Sequence, residues 1–404
     1  MAAALVTCAP AVVRAQNADG SNATQTISDK LPRPGYEPRN LQIGAATLAS
    51  EIGVEARYDS NVFAVSTKPI SDFIFIITPH LRLEGVGDRL KYQSDIYADI
   101  REYADNNSES HTTFGFAGSG SYSINDKNRF AAGAHFDRLA ETRNDPEANT
   151  NRDMPPRLLD SIGGNFEYGY QTGRIGLELR TAAGHLGYRS PEDAERSLAT
   201  YYLAVRATVI ATPMLALFVQ PYVNRRDFDQ AFDSGGVDRD MTTTGIIGGA
   251  RLTTTDHWSG EIGIGAFNAN PDDASLRSFS GFAASANVSW SPTRRTTVTL
   301  KGASGDSATV RAGAIGRDDS SINLRIDQEV RHNLRFTATI GHQKTHYTGL
   351  PNVLRTTFGS AQIEYLMNRT VSLFVTASYA ERRATPVTDG FDRGYVGIGI
   401  RLRH

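Results

Sequence analysis

His342-Gln343-Lys344-Thr345-His346 places two imidazoles four residues apart and looks at first like a metal-binding pair. On a strand, however, rings at that spacing stand about 13 Å apart along one face and cannot share an ion. Tyr58-Asp59-Ser60-Asn61 could offer calcium a carboxylate and loop carbonyls, although one Asp and one Asn are more commonly turn formers. No Gly-x-Ser-x-Gly elbow and no phosphate-binding glycine loop occurs, and no nucleophile stands beside a base. The expectation is a protein that is not an enzyme, with no cofactor and no resident metal.

What remains is a population of charged residues that face away from apolar neighbours. Arg82, Glu84, Lys91, Asp95, Asp99, Arg101, Glu178, Arg180, Arg206, Arg325, Asp327, Glu329 and Glu364 form it, together with Tyr97, Tyr202 and Tyr222. Such a set makes a wet wall. Its two signs nearly cancel, whereas a strongly selective ion filter needs rings of one sign, so weak selectivity or a large hydrated substrate is expected. Pairing across strands is the simplest use of these charges. The tyrosines could stack on sugar rings, but tyrosine is also a common strand residue.

The elements that position this wall follow from a period of two. Between residues 73 and 84, Phe73, Phe75, Ile77, Leu81 and Leu83 alternate with His80, Arg82 and Glu84. The next segment sets Leu90, Tyr92, Ile96 and Ile100 against Lys91, Asp95, Asp99 and Arg101. Far downstream, Ile322, Leu324, Ile326 and Val330 alternate with Asn323, Arg325, Asp327 and Glu329. These are strands with one dry face.

Tight reversals such as Gly85-Val86-Gly87-Asp88, Asn125-Asp126-Lys127-Asn128, Gln171-Thr172-Gly173, Thr255-Asp256-His257 and Met367-Asn368-Arg369 alternate with long polar stretches, among them 141–156, 228–238 and 306–316. The tight turns recur roughly every forty residues, the length of two membrane strands and a loop, which divides the chain into about eighteen strands, with sixteen as the alternative.

Short turns on one side and long loops on the other are the signature of an all-β fold, a transmembrane antiparallel up-and-down β-barrel. No stretch of the 404 residues approaches the roughly eighteen uninterrupted apolar residues of a membrane helix. The 40% hydrophobic content suits strands that turn only one face to lipid. Closure is compulsory, because in lipid every backbone N–H and C=O must be paired and an open sheet edge is forbidden. A ring of this size is too wide for its own side chains to fill. Tyr92, Phe130, Phe166, Tyr168, Tyr170, Tyr201, Trp258, Trp290, Tyr365 and Tyr395 fall near strand ends on the apolar face, where rings favour the headgroup level.

Residues 1–15 read as a truncated signal peptide, 16–47 as a periplasmic N-terminal linker and 48–404 as the barrel. Cleavage would remove the single cysteine, Cys8, and with it any disulfide or thiol chemistry. The net charge of −2 argues against a nucleic-acid partner. The expected surroundings are the bacterial outer membrane, with its lipid and lipopolysaccharide.

The run Tyr36-Glu37-Pro38-Arg39-Asn40-Leu41-Gln42-Ile43-Gly44, followed by Tyr58-Asp59-Ser60-Asn61-Val62-Phe63 and Ser71-Asp72-Phe73, resembles the opening of the putative β-barrel porin 2 family. That resemblance implies a wide outer-membrane conduit working with periplasmic polysaccharide-export proteins, its cargo a surface polysaccharide. The alternatives are a passive diffusion porin for small hydrophilic solutes and a structural or adhesive surface protein.

Overall fold

The computed structural model describes residues 33–149, 151–252 and 257–404. The expected signal peptide and the first half of the linker lie outside the described residues, as does most of the expected turn at Thr255-Asp256-His257.

A short strand β1 (Leu41–Ile43) doubles back on β2 (Ala46–Asp59) through Gly44, whose φ of +61° is readily adopted only without a Cβ. The ring continues with β3 (Asp72–Val86), β4 (Leu90–Tyr103), β5 (His111–Ser123), β6 (Asn128–Ala140) and β7 (Leu158–Thr172). Next come β8 (Ile175–Tyr188), β9 (Leu198–Thr212), β10 (Leu215–Phe228), β11 (Met241–Leu252), β12 (Trp258–Pro271) and β13 (Phe279–Thr293). It ends with β14 (Thr296–Ser307), β15 (Gly316–Arg331), β16 (Leu334–Thr348), β17 (Val353–Leu366), β18 (Val371–Thr385) and β19 (Phe391–Arg403).

Each strand pairs antiparallel with its sequence neighbours, and β19 pairs with β2 from Tyr395↔Asp59 to Arg403↔Glu51, closing an 18-strand barrel. No open edge is left in the ring, as lipid demands. No helix among the described residues is long and apolar enough to cross a membrane.

Alternation sorts the side chains. Along β2, Ile52, Val54 and Tyr58 are exposed on the outside while Glu55, Arg57 and Asp59 are buried on the inside. Along β19, Val396, Ile398, Ile400 and Leu402 face outward. Tyr395 therefore stands on the inward face, contrary to the sequence expectation: the Arg57 guanidinium lies 4.3 Å from its ring centre. Its apolar neighbour Val396 had drawn it into the lipid-facing set, but two adjacent strand residues cannot share a face. Elsewhere the outward rings do cluster, as in Trp258 on Trp290 at 5.5 Å and Phe130 on Tyr168 at 5.0 Å.

Several inward rings lie flat over a glycine of the adjacent strand. Tyr222 of β10 is paired with Gly245 of β11, Phe267 of β12 with Gly281 of β13, and Phe358 of β17 with Gly341 of β16. A Cβ at any of these glycines would fall inside the ring opposite.

Candidate functional site

On the inward face the sequence-derived charges meet carboxylate to guanidinium. Arg82 reaches Asp95 at 2.7 Å and Glu84 at 3.8 Å, and Arg101 reaches Asp99 at 2.8 Å. Arg180 bridges Glu178 and Glu167, Arg325 takes Asp327 at 2.8 Å, and Arg206 takes Glu261 at 2.7 Å. Glu364 gathers Arg401 at 2.9 Å, Arg403 at 2.6 Å and Arg335 at 3.6 Å. Glu329, almost wholly buried, accepts from Arg33 at 3.0 Å, so the segment before β1 is tied to the short-turn end of β15. Lys91 stands exposed near the start of β4. The tyrosines do not form one ladder: Tyr202 stacks on Tyr222 with centroids 5.9 Å apart, while Tyr97 donates to Asp137 at 2.7 Å.

The feature that reorganises this lumen is the connection between β6 and β7, residues 141–157. It crosses the barrel. At its start Arg143 is clamped to Glu109, the loop residue after β4, with side chains only 4% and 3% exposed. At its far reach Glu147 accepts from Thr309 of the β14–β15 loop and pairs with Arg317 of β15 at 3.4 Å and with Arg196 at 3.6 Å. Tyr347 of β16 donates to the Pro146 carbonyl at 3.4 Å. Arg382 of β18 donates to the Asn144 and Asp145 carbonyls, and Arg393 of β19 donates to the Asn144 side chain at 3.0 Å. In the 18-strand ring β15 and β16 stand nine strands from β6 and β7, which is the opposite wall.

The crossing loop divides this end of the lumen into two parts with different contents. On one side the β2–β3 loop folds inward, burying Val62 and Phe63 against Ile74, Ile76 and Tyr103. Arg143 and Arg152 of the crossing loop lie 5.5 and 5.9 Å from the Phe63 ring centre. On the other side lies a cavity of about 180 Å³, walled by Leu139, Leu159, Leu186, Leu198 and Phe228 and fronted by Glu141, Asp145 and Glu147. Arg226 on this wall is held by Asp306. The Asp145 carboxylate has no hydrogen-bond or ion-pair partner among the described residues; burial pushes it up to about 7, with Glu141 and Glu147 adding to the rise.

None of these inward apolar or loop residues was in the sequence-derived set. A signal existed. Phe73-Ile74-Phe75-Ile76-Ile77 breaks the alternation with five apolar residues in succession, because Ile74 and Ile76 are covered by a loop inside while their neighbours face outward.

The two short constellations resolve as scaffolding. His342 and His346 contact different neighbours, Thr357 at 2.9 Å and Asp318 at 4.0 Å. Asp59 accepts from Arg393 at 2.7 Å and from the Asn61 backbone at 3.0 Å. Asn61 in turn donates to the Val65 and Asp392 carbonyls, and so turns the β2–β3 loop into the barrel.

Among solved structures, OccK2 (OpdF) of Pseudomonas aeruginosa is 11% identical with a TM-score of 0.45, over 88% of this chain and 98% of that one. OpdL of the same organism is 12% identical with a TM-score of 0.43, over 90% and 99%. The siderophore receptor PirA, also of P. aeruginosa, is 8% identical with a TM-score of 0.42, over 88% and 80%. A comparison with curated proteins found no match. The family described as putative β-barrel porin 2 matches residues 33–404, essentially the whole described chain, and the protein belongs to that family.

Proposed function

We propose that this protein is an outer-membrane channel for small hydrophilic solutes, passive in mechanism, with loop 141–157 setting the size of what passes. The observation that carries the reading is the span of that loop from β6 and β7 to Arg317 and Tyr347 on the opposite wall. An eighteen-strand ring alone would enclose a broad aqueous bore. Here the Phe63 cluster packs on one side of the crossing loop and a cavity of about 180 Å³ lies on the other. Balanced, paired charges along the wall favour weak selectivity over a strict ion filter. The outer apolar face and the division into short turns and longer loops support placement in an outer membrane with the loops outside.

Export of a surface polysaccharide, the expectation attached to the family resemblance, would send a polymer through the same lumen, and the crossing loop would have to leave it. Two measurements separate these readings. In planar bilayers, polyethylene glycols of graded size should enter the purified full-length channel only at the small end of the series; free entry of large polymers would remove the small-solute reading. In cells, deletion of the gene should slow growth on a limiting small nutrient and leave surface polymer intact. Loss of polymer with normal uptake would put export in its place.

A further inference from the structure

Three cations stand side by side on the outside of the barrel. The register puts Lys344 of β16 directly opposite Arg355 of β17, and Arg355 directly opposite Arg383 of β18. All three are exposed. With neighbouring strands about 4.8 Å apart, their side chains leave the sheet within roughly 10 Å of one another.

Like charges directly opposite on a sheet repel, and little in the protein offsets them here. Arg383 has Glu381 on its own strand at 2.8 Å. Asp318 of β15, beside His346 at 4.0 Å, is the other carboxylate near Lys344. Lys344 and Arg355 make no hydrogen bond or ion pair among the described residues. Two outward cations elsewhere at this end of the barrel are matched: Arg138 pairs with Asp160 at 2.8 Å, and Arg225 is surrounded by Asp227, Asp240 and Asp272.

Position narrows the kind of partner. One row nearer the middle of the barrel lie His342, Thr357 and Glu381, and the row after that, Ile340, Gly359 and Tyr379, begins the apolar belt. The cations are therefore four residues beyond Ile340, about 13 Å along the strand, at the level where hydrocarbon gives way to headgroups.

We propose that the Lys344–Arg355–Arg383 row binds the phosphate groups of outer-leaflet lipid headgroups. Guanidinium groups suit phosphate oxygens through paired N–H donors, and a lysine adds a point charge. A lipid is favoured over a free ion because its chains can lie along Ile340, Tyr379 and Ile363 while its phosphates meet the row. The inference rests on the membrane placement and orientation proposed above.

The test titrates the full-length protein in neutral detergent with diphosphorylated lipid A and, separately, with the same lipid stripped of phosphate. The variant Lys344→Gln/Arg355→Gln/Arg383→Gln should bind the phosphorylated lipid roughly a hundredfold more weakly, each cation near the surface being worth about fivefold. Arg138→Gln should bind as the parent does. A gel-mobility shift on boiling checks that each variant is folded. Equal binding by the triple variant, or equal binding of both lipids, overturns the proposal, and displacement by millimolar inorganic phosphate would assign the row to a free ion instead. Conductance of the triple variant is measured alongside and should be unchanged, so a failure of lipid binding stays distinct from a failure of the channel reading.

Discussion

The barrel wall and the loop that crosses it both pair arginine with carboxylate, but the wall includes pairs set two residues apart on one strand, and the loop's clamps reach other elements. On the wall, Asp99 with Arg101 and Arg325 with Asp327 join residues two apart on one strand face. In the loop, Arg143 finds Glu109 of the neighbouring β4–β5 connection, and Glu147 finds Arg317, a partner that only the closed barrel brings within reach. Strand geometry already aims a pair two residues apart, and Asp99 with Arg101 stays partly wet and contributes little. A loop clamp buries both partners, and removing one strands the other's charge away from water. The wall pairs decorate a surface that would exist without them; the clamps decide where the loop lies.

Arg143→Ala tests the sharper side of this contrast. It leaves Glu109 buried without its cation and should cost about 3–5 kcal/mol, read as a fall in the urea midpoint of the detergent-solubilised chain. A loss below about 1 kcal/mol would put the clamp in the same class as the wall pairs. Glu147→Ala should cost near the lower end of that range, about 3 kcal/mol, because Arg317 and Arg196 lose a shared partner while Asp319 still holds Arg317. Its larger signature is electrical, since a loop released from the far wall should raise single-channel conductance severalfold. Unchanged conductance would mean that the loop does not set the bore.

The pH dependence of conductance comes next. Burial, with Glu141 and Glu147, lifts Asp145 from its ordinary 3.8 to about 7, while Arg317 and Arg382 oppose the rise. The docked loop thus keeps a proton that an undocked loop gives up. Docking is fully supported below the ordinary carboxylate value, weakens as pH rises, and levels off above about 7. Conductance should climb between about pH 4 and about pH 7, and Asp145→Asn should flatten that climb. A climb that survives the substitution would assign the proton elsewhere. The smallest effect belongs to the wall: Arg101→Ala should cost no more than about 1 kcal/mol, because its guanidinium and the Asp99 carboxylate are both part-exposed.

The same contrast explains what could be read in the sequence. Strand number, facing and the short and long connections follow from local alternation and turn chemistry, so β3, β4 and β15 were legible with their wall charges. Asp99 and Arg101 share a face because they are two apart, and no tertiary knowledge is needed to see it. The partnership of Glu147 with Arg317 depends on ring closure and on a loop choosing the inside, which no local period encodes. Tyr395 shows the limit of alternation itself: beside Val396, at a strand end, either aromatic or aliphatic could have led the apolar face, and the deciding contact is Arg57 on a strand at the other end of the chain.

Alternation also leaves open how far each strand slides along its neighbour. A slip of two residues keeps every lipid-facing side chain outside, so hydrophobicity alone accepts it. The rings seated over glycines do not. If β11 slid by two along β10, Tyr222 would meet Thr243 or Ile247 in place of Gly245; if β16 slid along β17, Phe358 would meet Thr339 or Gln343 in place of Gly341. Each such pair acts as a detent during assembly, accepting one stagger between adjacent strands and rejecting its nearest competitors. The stagger summed around the ring fixes the tilt and girth of a barrel, so a few missing Cβ atoms help set the diameter that loop 141–157 is long enough to span.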